Sequence, residues 1–476
     1  MNVISGLRDR APRYASLTFE RLAASLCLLA LVLAASFMPA QSDTWWQLRA
    51  GEEIWRTASV SLKDQFSYTV YGGYWPNHEW LSEAFFYAAF RVGGLRLLTA
   101  ILASLVVLTW VLAWHLTVGP SIRRIPLLAM AIISASPSWS LRPQVLSLFL
   151  VVLLVYLLTR RRYAVLPLLF LLWANMHGAV VIGLVILGAS LASVIVGERR
   201  IPVPLAIATA ISVLMTLLTP LGFGLWAEIP QSLGRLREYQ VREWQRPQIL
   251  DPTLLPFWIL GFVLVTLLIF RRSWINKSTG SSQPRTIVFA AVALLPLAVG
   301  SSRNVPPFVL LAVPAIAILL EDLQLFPESS RAFRQERPTL NWIVLGSASL
   351  ATVASIALAW TFEARRLNWQ PLAPDLITAL DSCPEHIYNR YDEGGYLIWF
   401  LPTRKVFIDS RQDPYPSALV REHLHTEMSG DYTSLFARHN VHCAFVATNS
   451  VLARRLSDAH WVPLYRGPAW VVLAGP

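Results

Sequence analysis

The fold of this chain is constrained most by a series of long apolar segments between residues 22 and 361. A helix needs about 20 consecutive apolar residues to cross the hydrocarbon core of a bilayer. Only 14% of all residues are charged, against about 25% in typical soluble proteins, so lipid must provide part of the solvent. We predict a polytopic α-helical membrane protein with about eleven spans. The spans lie near 22–40, 95–116, 125–137, 141–159, 163–176, 178–196, 201–219, 253–270, 286–300, 305–320 and 341–361.

Three of these spans leave an alternative open. The first resembles a signal peptide, but Met38-Pro39-Ala40 fits the small-residue cleavage pattern poorly, so an uncleaved anchor is predicted. The spans at 125–137 and 163–176 are short, which favours a tilted or re-entrant path. If one of them did not cross, every later segment would change sides, and if neither crossed the orientation would be restored.

Basic residues predict the orientation of the spans. If the N-terminus is cytoplasmic, every inside segment carries a basic cluster, as the positive-inside rule requires. The odd number of spans then places the C-terminal part outside. This predicts a multi-pass membrane protein with a cytoplasmic N-terminus. The inside clusters contain Arg8, Arg10, Arg13, Arg21, Arg123, Arg124, Arg160, Arg161, Arg162, Arg199, Arg200, Arg271, Arg272, Lys277, Arg285, Arg331, Arg334 and Arg337.

The distribution of polar residues divides the chain in two. Residues 1–361 form the predicted transmembrane domain, with a long first outside loop at 41–94, and 362–476 read as a soluble extracytoplasmic domain. Alternating short helices and strands predict a small α/β domain with a mostly parallel sheet. Its predicted strands are 385–388, 405–409, 442–447, 461–465 and 469–473, and its predicted helices are 374–381, 394–400, 416–427, 431–438 and 450–456.

The C-terminal part carries two further features with open alternatives. Cys383 and Cys443 can form a disulfide if this part lies outside, or they are two buried thiols. Asp409, Ser410, Arg411 and Asp413 follow a predicted strand, where α/β sheets often place function. They serve either acceptor recognition or packing against the first outside loop.

Polar residues from separate loops fall on the predicted outer side. Charged groups near a membrane are costly unless they are paired or line a wet cavity. Their convergence is what a polar active site at the outer interface requires. These residues are Asp43, His78, Glu79, Arg142, His177, Glu243 and Arg303.

Each candidate has a structural alternative. Asp43, just after the first span, is a candidate general base or cation ligand, or the N-cap of a helix that begins at Thr44. Arg142 and Arg303 are candidate phosphate anchors, although either can instead reach the interface or pair with Glu83 or Glu243. His177 is a ligand or a satisfied structural histidine. The tryptophans Trp45, Trp46 and Trp80 are better explained by packing or by an interfacial belt than by substrate contact.

Several motifs together resemble the GT-C superfamily of polyprenyl-phosphate-dependent membrane glycosyltransferases, in particular an uncharacterised bacterial branch. The resemblance covers most of the chain. It rests on Asp43-Thr44-Trp45-Trp46-Gln47-Leu48-Arg49-Ala50-Gly51, Asp64-Gln65-Phe66-Ser67-Tyr68-Thr69, His78-Glu79-Trp80-Leu81, Arg142-Pro143-Gln144, Trp173-Ala174-Asn175-Met176-His177-Gly178, Glu243-Trp244, Arg303-Asn304-Val305-Pro306, Tyr388-Asn389-Arg390-Tyr391, Gly394-Gly395-Tyr396-Leu397 and Val406-Phe407-Ile408-Asp409-Ser410-Arg411.

The resemblance implies a first outside loop of short amphipathic helices and a catalytic acidic residue just after the first span. Asp43 matches that position, and Glu79 matches a second acidic position. The implied reaction moves a sugar from a polyprenyl-phosphate carrier to a glycan, lipid or protein acceptor. His78, His177, Glu243, Arg142 and Arg303 would then bind substrate or phosphate. No Asp-x-Asp pair follows the first span. A divalent cation is therefore not required by the motif, and Asp43, Glu79 and His78 are its candidate ligands.

The sequence also bears on three other functions. The net charge of +11 comes from clusters at span ends, without a continuous basic stripe or a nucleic-acid motif, so nucleic acid is not an expected partner. A transporter or flippase of a lipid-linked substrate is the main rival, but polar residues on one face favour an interfacial enzyme. A non-catalytic scaffold of the same fold is the third possibility.

Overall fold

A computed structural model of the chain describes residues 17–228, 242–271, 283–321, 337–362, 366–384 and 386–475. All seven candidate site residues lie within these ranges. Several residues of the predicted inside clusters lie outside the described residues, namely Arg8, Arg10, Arg13, Arg272, Lys277, Arg331 and Arg334. The same holds for residue 385, at which the first strand of the C-terminal part was predicted to begin.

Helices dominate the described part of the chain up to residue 362, and each predicted span overlaps one of them. By length and composition, five helices can cross a membrane: Phe19–Ser36, Trp80–Leu116, Val180–Glu198, Ser302–Glu321 and Pro338–Phe362. The chain is thus a membrane protein, and the count of eleven spans stays a prediction. The helices are α1 (Phe19–Ser36), α2 (Ser42–Thr57), α3 (Trp80–Leu116), α4 (Ser121–Ala135), α5 (Gln144–Thr159), α6 (Leu166–Met176), α7 (Val180–Glu198), α8 (Val203–Met215), α9 (Leu255–Phe270), α10 (Gln283–Gly300), α11 (Val305–Glu321) and α12 (Pro338–Phe362).

The two spans that the sequence left ambiguous are short helices. The helix at the first of them, α4, has 15 residues and contains Pro126. At the second, a short 3₁₀ turn leads into the 11-residue α6. An α-helix rises 1.5 Å per residue, so neither α4 nor α6 alone reaches across about 30 Å of hydrocarbon.

Two helices lie in the predicted first outside loop. The helix α2 follows α1 after a short link, and the first part of α3 precedes the apolar segment at 95–116. The two parts of α3 are separated at Gly93 and Gly94, where the backbone leaves helical geometry. Gly94 has a φ of +63°, a left-handed conformation that costs glycine little because it has no Cβ. The kink thus marks the point at which the loop ends and the apolar segment begins.

The C-terminal part contains a four-stranded sheet of order β1–β2–β4–β3. Only β1 and β2 are parallel, whereas β2–β4 and β3–β4 are antiparallel, so the prediction of a mostly parallel sheet was wrong. The strands are β1 (Ile387–Asn389), β2 (Cys443–Ala447), β3 (Val462–Arg466) and β4 (Trp470–Ala474). The helices are α13 (Pro374–Asp381), α14 (Gly394–Phe400), α15 (Ser417–Ser429), α16 (Thr433–His439) and α17 (Val451–Asp458), close to their predicted bounds.

The strand predicted at 405–409 is not part of this sheet. Val406 instead forms an isolated parallel bridge with Ser67 of the first loop. Its backbone N–H donates to the Phe66 carbonyl at 2.9 Å, and its carbonyl accepts from Tyr68 N at 3.0 Å. The segment has the composition of a buried strand because it is buried against the first loop. A local pattern does not identify a partner more than 300 residues away.

First-loop and C-terminal residues share one apolar core. Trp46 and Trp75 of the loop pack in a cluster with residues of α13, α14, β2 and β4. Cys383 and Cys443, whose Cα atoms are 5.8 Å apart, are joined by a disulfide beside this cluster, so the free-thiol alternative does not hold in the structure. The division into a domain at 1–361 and one at 362–476 stays a prediction, because this core belongs to both parts.

Candidate functional site

The first turn of α2 positions Asp43. The Gln41 backbone N–H donates to Thr44 Oγ1 at 3.0 Å, and the Thr44 hydroxyl donates to the Leu141 carbonyl at 2.9 Å. The helix begins at Ser42, and Gln41 is its N-cap residue. The alternative in which Asp43 caps a helix beginning at Thr44 is therefore wrong. The Asp43 carboxylate is left available for contacts with other segments.

Three side chains donate to the Asp43 carboxylate. Arg142 Nη1 lies 2.7 Å from Oδ2. Trp46 Nε1 donates to Oδ1 at 3.2 Å, and the Ser410 hydroxyl donates to the same oxygen. These donors come from α2 itself, from the turn before α5 and from the C-terminal part. Both carboxylate oxygens are therefore oriented by contacts that depend on the tertiary fold.

Arg142 continues this contact into a chain of alternating charges. Its Nη2 lies 3.1 Å from Glu243 Oε2, and Arg303 Nη1 lies 2.7 Å from Glu243 Oε1. Both arginines thus pair with Glu243, as one of the alternatives proposed. Glu83 accepts instead from Asn77 Nδ2 at 2.8 Å. The Asp43, Arg142, Glu243 and Arg303 side chains form a continuous ion-pair network.

The electrostatics of this network favour its charged state. Burial alone would raise the pKa of Glu243, but the guanidiniums of Arg303 and Arg142 lower it below its ordinary value. Two guanidiniums face two carboxylates, so the network is close to neutral. A guanidinium fork also matches the oxygens of a phosphate, which could replace a carboxylate as its partner.

The network continues at Arg303 into a pair of buried titratable groups. Arg303 Nη2 lies 3.2 Å from His177 Nε2, and Glu79 Oε1 lies 3.4 Å from the same nitrogen. His177 Nδ1 lies 2.8 Å from Ser147 Oγ. A guanidinium can only donate, so Nε2 is the acceptor and Nδ1–H donates to Ser147. Burial, reinforced by the charge of Arg303, holds the pKa of His177 well below its ordinary value, and the ring is neutral.

Glu79 lies between the histidines and α2. Its Oε2 accepts from Gln47 Nε2 at 2.9 Å, and His78 Nε2 lies 3.7 Å from Oε1. Burial raises the pKa of Glu79, His78 and Arg303 lower it, and the nearby charge of Asp43 raises it further. A buried carboxyl with a raised pKa is suited to proton transfer at neutral pH.

The contacts of the tryptophans fit the packing interpretation. Trp45 packs against Trp399 and Phe400, with ring centroids 5.9 and 4.7 Å apart. Trp46 is buried against Trp75 in addition to its bond to Asp43. Trp80 donates to Asn175 Oδ1 at 2.7 Å. They bring α2, the start of α3 and the C-terminal part together around the site.

Within the described residues, no group of three or more His, Cys, Asp and Glu side chains is arranged to hold a metal ion. Asp43, the first of the candidate ligands, pairs with Arg142, and Glu79 faces His78 and His177. A divalent cation would have to replace Arg142 as the partner of Asp43.

Ser410 was not singled out on its own from the sequence, although its motif was noted. It reaches Asp43 because the neighbouring Arg411 is anchored in the first loop. Arg411 Nη2 lies 2.6 Å from Asp64 Oδ1 and 2.7 Å from Asp409 Oδ2, and all three side chains are fully buried. Tyr415 donates its hydroxyl to Asp409 Oδ2 at 2.5 Å. Packing against the first loop is therefore what the structure shows for this motif.

Comparison with known proteins gives a likeness of fold. No family model matches the sequence, and no curated protein matches it. The structure is similar to that of the Archaeoglobus fulgidus oligosaccharyltransferase tethered with an acceptor peptide, with a TM-score of 0.53 at 12% identity over 90% of this chain and 69% of that one. The apo form of the same enzyme gives a TM-score of 0.49 at 14% identity over 89% and 69% of the two chains.

At such low identity the likeness concerns the fold alone. It supports the fold expected from the sequence motifs. The bacterial branch and the dependence on a polyprenyl phosphate stay predictions.

Proposed function

We propose that this chain is a membrane glycosyltransferase that moves a sugar from a polyprenyl-phosphate carrier to a glycan, lipid or protein acceptor. The reaction takes place on the extracytoplasmic face of the bacterial inner membrane. The observation that carries the proposal is the ion-pair network of Asp43, Arg142, Glu243 and Arg303, with Glu79 and His177 beside it. These six residues come from five segments, since Asp43 and Glu79 both lie in the first loop. The fold of the chain is similar to that of an oligosaccharyltransferase.

In the proposed reaction, an acceptor nucleophile attacks the anomeric carbon of the donor sugar. The new bond joins the acceptor to that carbon, and the bond from the carbon to the phosphate oxygen breaks. The electron pair leaves with the phosphate, whose charge the guanidiniums of Arg142 and Arg303 stabilise. The acceptor proton passes to a carboxylate, with Asp43 as the candidate base and Glu79 as the second. Exchange of a carboxylate for phosphate around Arg142 and Arg303 would couple donor binding to release of Asp43.

The proposed topology follows from the basic clusters and from the C-terminal part. Residues 362–476 would lie outside, together with the first loop at 41–94, and the N-terminus would be cytoplasmic. The Cys383–Cys443 disulfide supports this placement, because disulfides persist in oxidising compartments such as the bacterial periplasm.

The test is transfer from labelled undecaprenyl-phosphate sugars by the purified full chain in detergent, with an envelope extract as the source of acceptors. Asp43→Asn should abolish transfer and leave membrane insertion and thermal unfolding intact. The matched control is Asp458→Asn, which alters an exposed carboxylate at the end of α17. Full transfer by Asp43→Asn would refute the assignment of Asp43.

The same purified protein distinguishes the proposed enzyme from the two rival functions, a flippase and a non-catalytic scaffold. Reconstituted into liposomes, a flippase would move the labelled lipid across the bilayer without changing it chemically. A scaffold would do neither. Either result, obtained with a panel of donor sugars, would contradict the proposed glycosyltransferase activity.

A further inference from the structure

A polar cleft lies on the far side of α2, away from the candidate site. It has a volume of about 290 Å³ and opens between the first loop and the segment that follows α14. Its lining consists mainly of long polar and aromatic side chains: Arg49, Glu53, Arg56, Gln65, Phe66, Tyr71, Ile398, Pro402, Thr403, Arg404 and Lys405. Neither the candidate site nor the proposed reaction uses any of them.

The charge of the lining is unbalanced. It contains four cationic side chains and one carboxylate, that of Glu53. Arg49 pairs with Glu52 at 2.6 Å and with Glu53 at 3.3 Å, and Arg56 pairs with Glu53 at 2.5 Å. Arg404 Nε lies 3.9 Å from Asp381 Oδ1. Four cations therefore face three carboxylates in and beside the cleft, which stays positive through Lys405. Clefts lined by one sign of charge concentrate ligands of the opposite sign.

Lys405 is the cation best placed for a ligand. Its ammonium lies 3.5 Å from the centre of the Tyr71 ring and forms no ion pair among the described residues. Tyr71 is 60% exposed. An exposed aromatic ring beside a cation with no anionic partner offers a flat apolar face and a charge together. A sugar that carries an acidic group complements this pair, because its ring can pack on the aromatic face and its negative charge can pair with the ammonium.

A second, smaller cavity adjoins this cleft. Its volume is about 60 Å³, and it shares Glu53, Gln65 and Phe66 with the cleft. Its lining also includes Asn77, whose Oδ1 accepts from the backbone N–H of Glu79 at 3.3 Å. The second cavity, and not the cleft itself, is therefore lined by a residue that contacts the backbone of Glu79, one of the two candidate catalytic residues.

We propose that this cleft binds an anionic group, a carboxylate or a phosphate, carried on a sugar. Lys405 and Arg56 would contact the anion, and Tyr71 and Phe66 would contact the sugar ring. The cleft would act as a recognition subsite for an acidic acceptor, and this role alone rests on the proposed function. Binding of the anion does not depend on it.

Binding is tested with the purified full chain in detergent, by calorimetry and by ligand-observed NMR. The probes are glucuronic acid, glucose 6-phosphate, inorganic phosphate and glucose. Glucuronic acid and glucose 6-phosphate should bind, phosphate should compete with both, and glucose should not bind measurably. Raising the ionic strength should weaken binding, because exposed charges are screened. Equal binding of glucose and glucuronic acid would overturn the proposal, and a preference for one acid identifies the anionic group.

The variants are Lys405→Gln and the double variant with Arg56→Gln. Loss of one charge-assisted hydrogen bond should weaken binding of glucuronic acid about tenfold, and the double variant should weaken it further. Arg454→Gln, which removes an exposed arginine of α17, is the matched control and should bind like wild type. Unchanged affinity in the double variant would remove the cleft as the binding site.

A separate readout distinguishes failure of the cleft from failure of the reaction. Asp43→Asn should keep the affinity for glucuronic acid and lose transfer. Lys405→Gln should raise the KM for an acidic acceptor and leave kcat nearly unchanged. If the chain binds glucuronic acid but transfers no sugar, the proposed function fails and the binding site stands. If Lys405→Gln leaves the KM unchanged while Asp43→Asn abolishes transfer, the reaction stands and the recognition role fails.

Discussion

Ser410 donates a hydrogen bond to Asp43 across 367 positions of the chain. The acceptor lies in the first turn of α2, and the donor lies in the segment between α14 and α15. Contact continues beside it, where the Gly395 N–H donates to Ser42 Oγ at 3.0 Å. A Cβ on Gly395 would overlap Ser42, so only glycine permits this approach. The C-terminal part therefore completes the surroundings of the candidate catalytic carboxylate.

We expect Ser410→Ala to lower kcat for transfer about tenfold, because Asp43 loses one donor that orients Oδ1. The thermal unfolding temperature should stay near that of wild type, since only a hydroxyl is removed. Ser457→Ala, which removes an exposed hydroxyl of α17, is the control. Unchanged kcat in Ser410→Ala would show that the contact has no part in transfer.

Arg142 bridges two carboxylates through two different nitrogens. We expect Arg142→Gln to reduce kcat/KM for the donor by about two orders of magnitude, since both the orientation of Asp43 and a phosphate partner are lost. Arg142→Lys should recover little, because an ammonium does not reproduce the planar fork. Steady-state kinetics with a labelled donor measure both. Recovery to wild-type rates by lysine would mean that charge alone is needed.

Arg411 ties the first loop to the C-terminal part. Arg411→Met should destabilise the protein by about 3–5 kcal/mol, because it leaves the buried carboxylates of Asp64 and Asp409 without their cation. Tyr415→Phe removes the hydrogen bond to Asp409 Oδ2 and a long one from Arg411 Nη2 at 3.4 Å, and should cost only about 1 kcal/mol. Unfolding followed by tryptophan fluorescence compares the two variants. Equal losses would contradict a central role for the arginine.

The stability of the folded protein should depend on pH through Glu79. Burial raises its pKa above the ordinary value, so its neutral form is favoured in the folded state. The stability that this group contributes is therefore present below the ordinary glutamate pKa of about 4.3 and is lost as pH rises through the raised value. Glu79→Gln should raise the unfolding temperature at pH 8 relative to wild type and make little difference near pH 4. A stabilisation of equal size at both pH values would contradict this account.

The catalytic role of Glu79 has a separate readout. If its carboxylate accepts a proton, transfer by wild type should fall as pH drops through the raised pKa. Glu79→Gln should transfer slowly and lack this acidic limb. A pH profile of the same shape in both proteins would assign the limb to another group.

The Cys383–Cys443 disulfide provides a test of topology. In intact cells, a membrane-impermeant maleimide should label neither cysteine until a reductant is added, and should label both afterwards. Reduction should also lower the unfolding temperature, because native disulfides typically stabilise by 2–5 kcal/mol. Cys27, within α1, should not react with the reagent under either condition, since it lies in the predicted first span. Labelling that requires permeabilised cells would place this part of the chain inside.

Much of the local structure could be predicted from the sequence. The helix predicted at 374–381 is α13 with the same bounds, and that at 394–400 is α14. Short-range signals suffice there, because a helix is stabilised by bonds between neighbours in the chain. The segment at 405–409 shows the limit. Its apolar run resembles a buried sheet strand, but the residue with which Val406 forms a bridge is Ser67 of the first loop.

The sequence by itself determined that the chain is helical and apolar enough to require a membrane, and which carboxylates and guanidiniums were candidates for a site. These properties follow from the residue types within short segments of the chain. Only the tertiary structure decided that Asp43 meets Arg142 and Ser410, and that Glu243 holds Arg142 and Arg303 together. An ion pair forms within about 4 Å, and the partners here are about 100 or more positions apart or lie on separate helices. No local sequence pattern shows that these residues lie within contact distance of one another. Their contacts depend on how the helices and the C-terminal part pack.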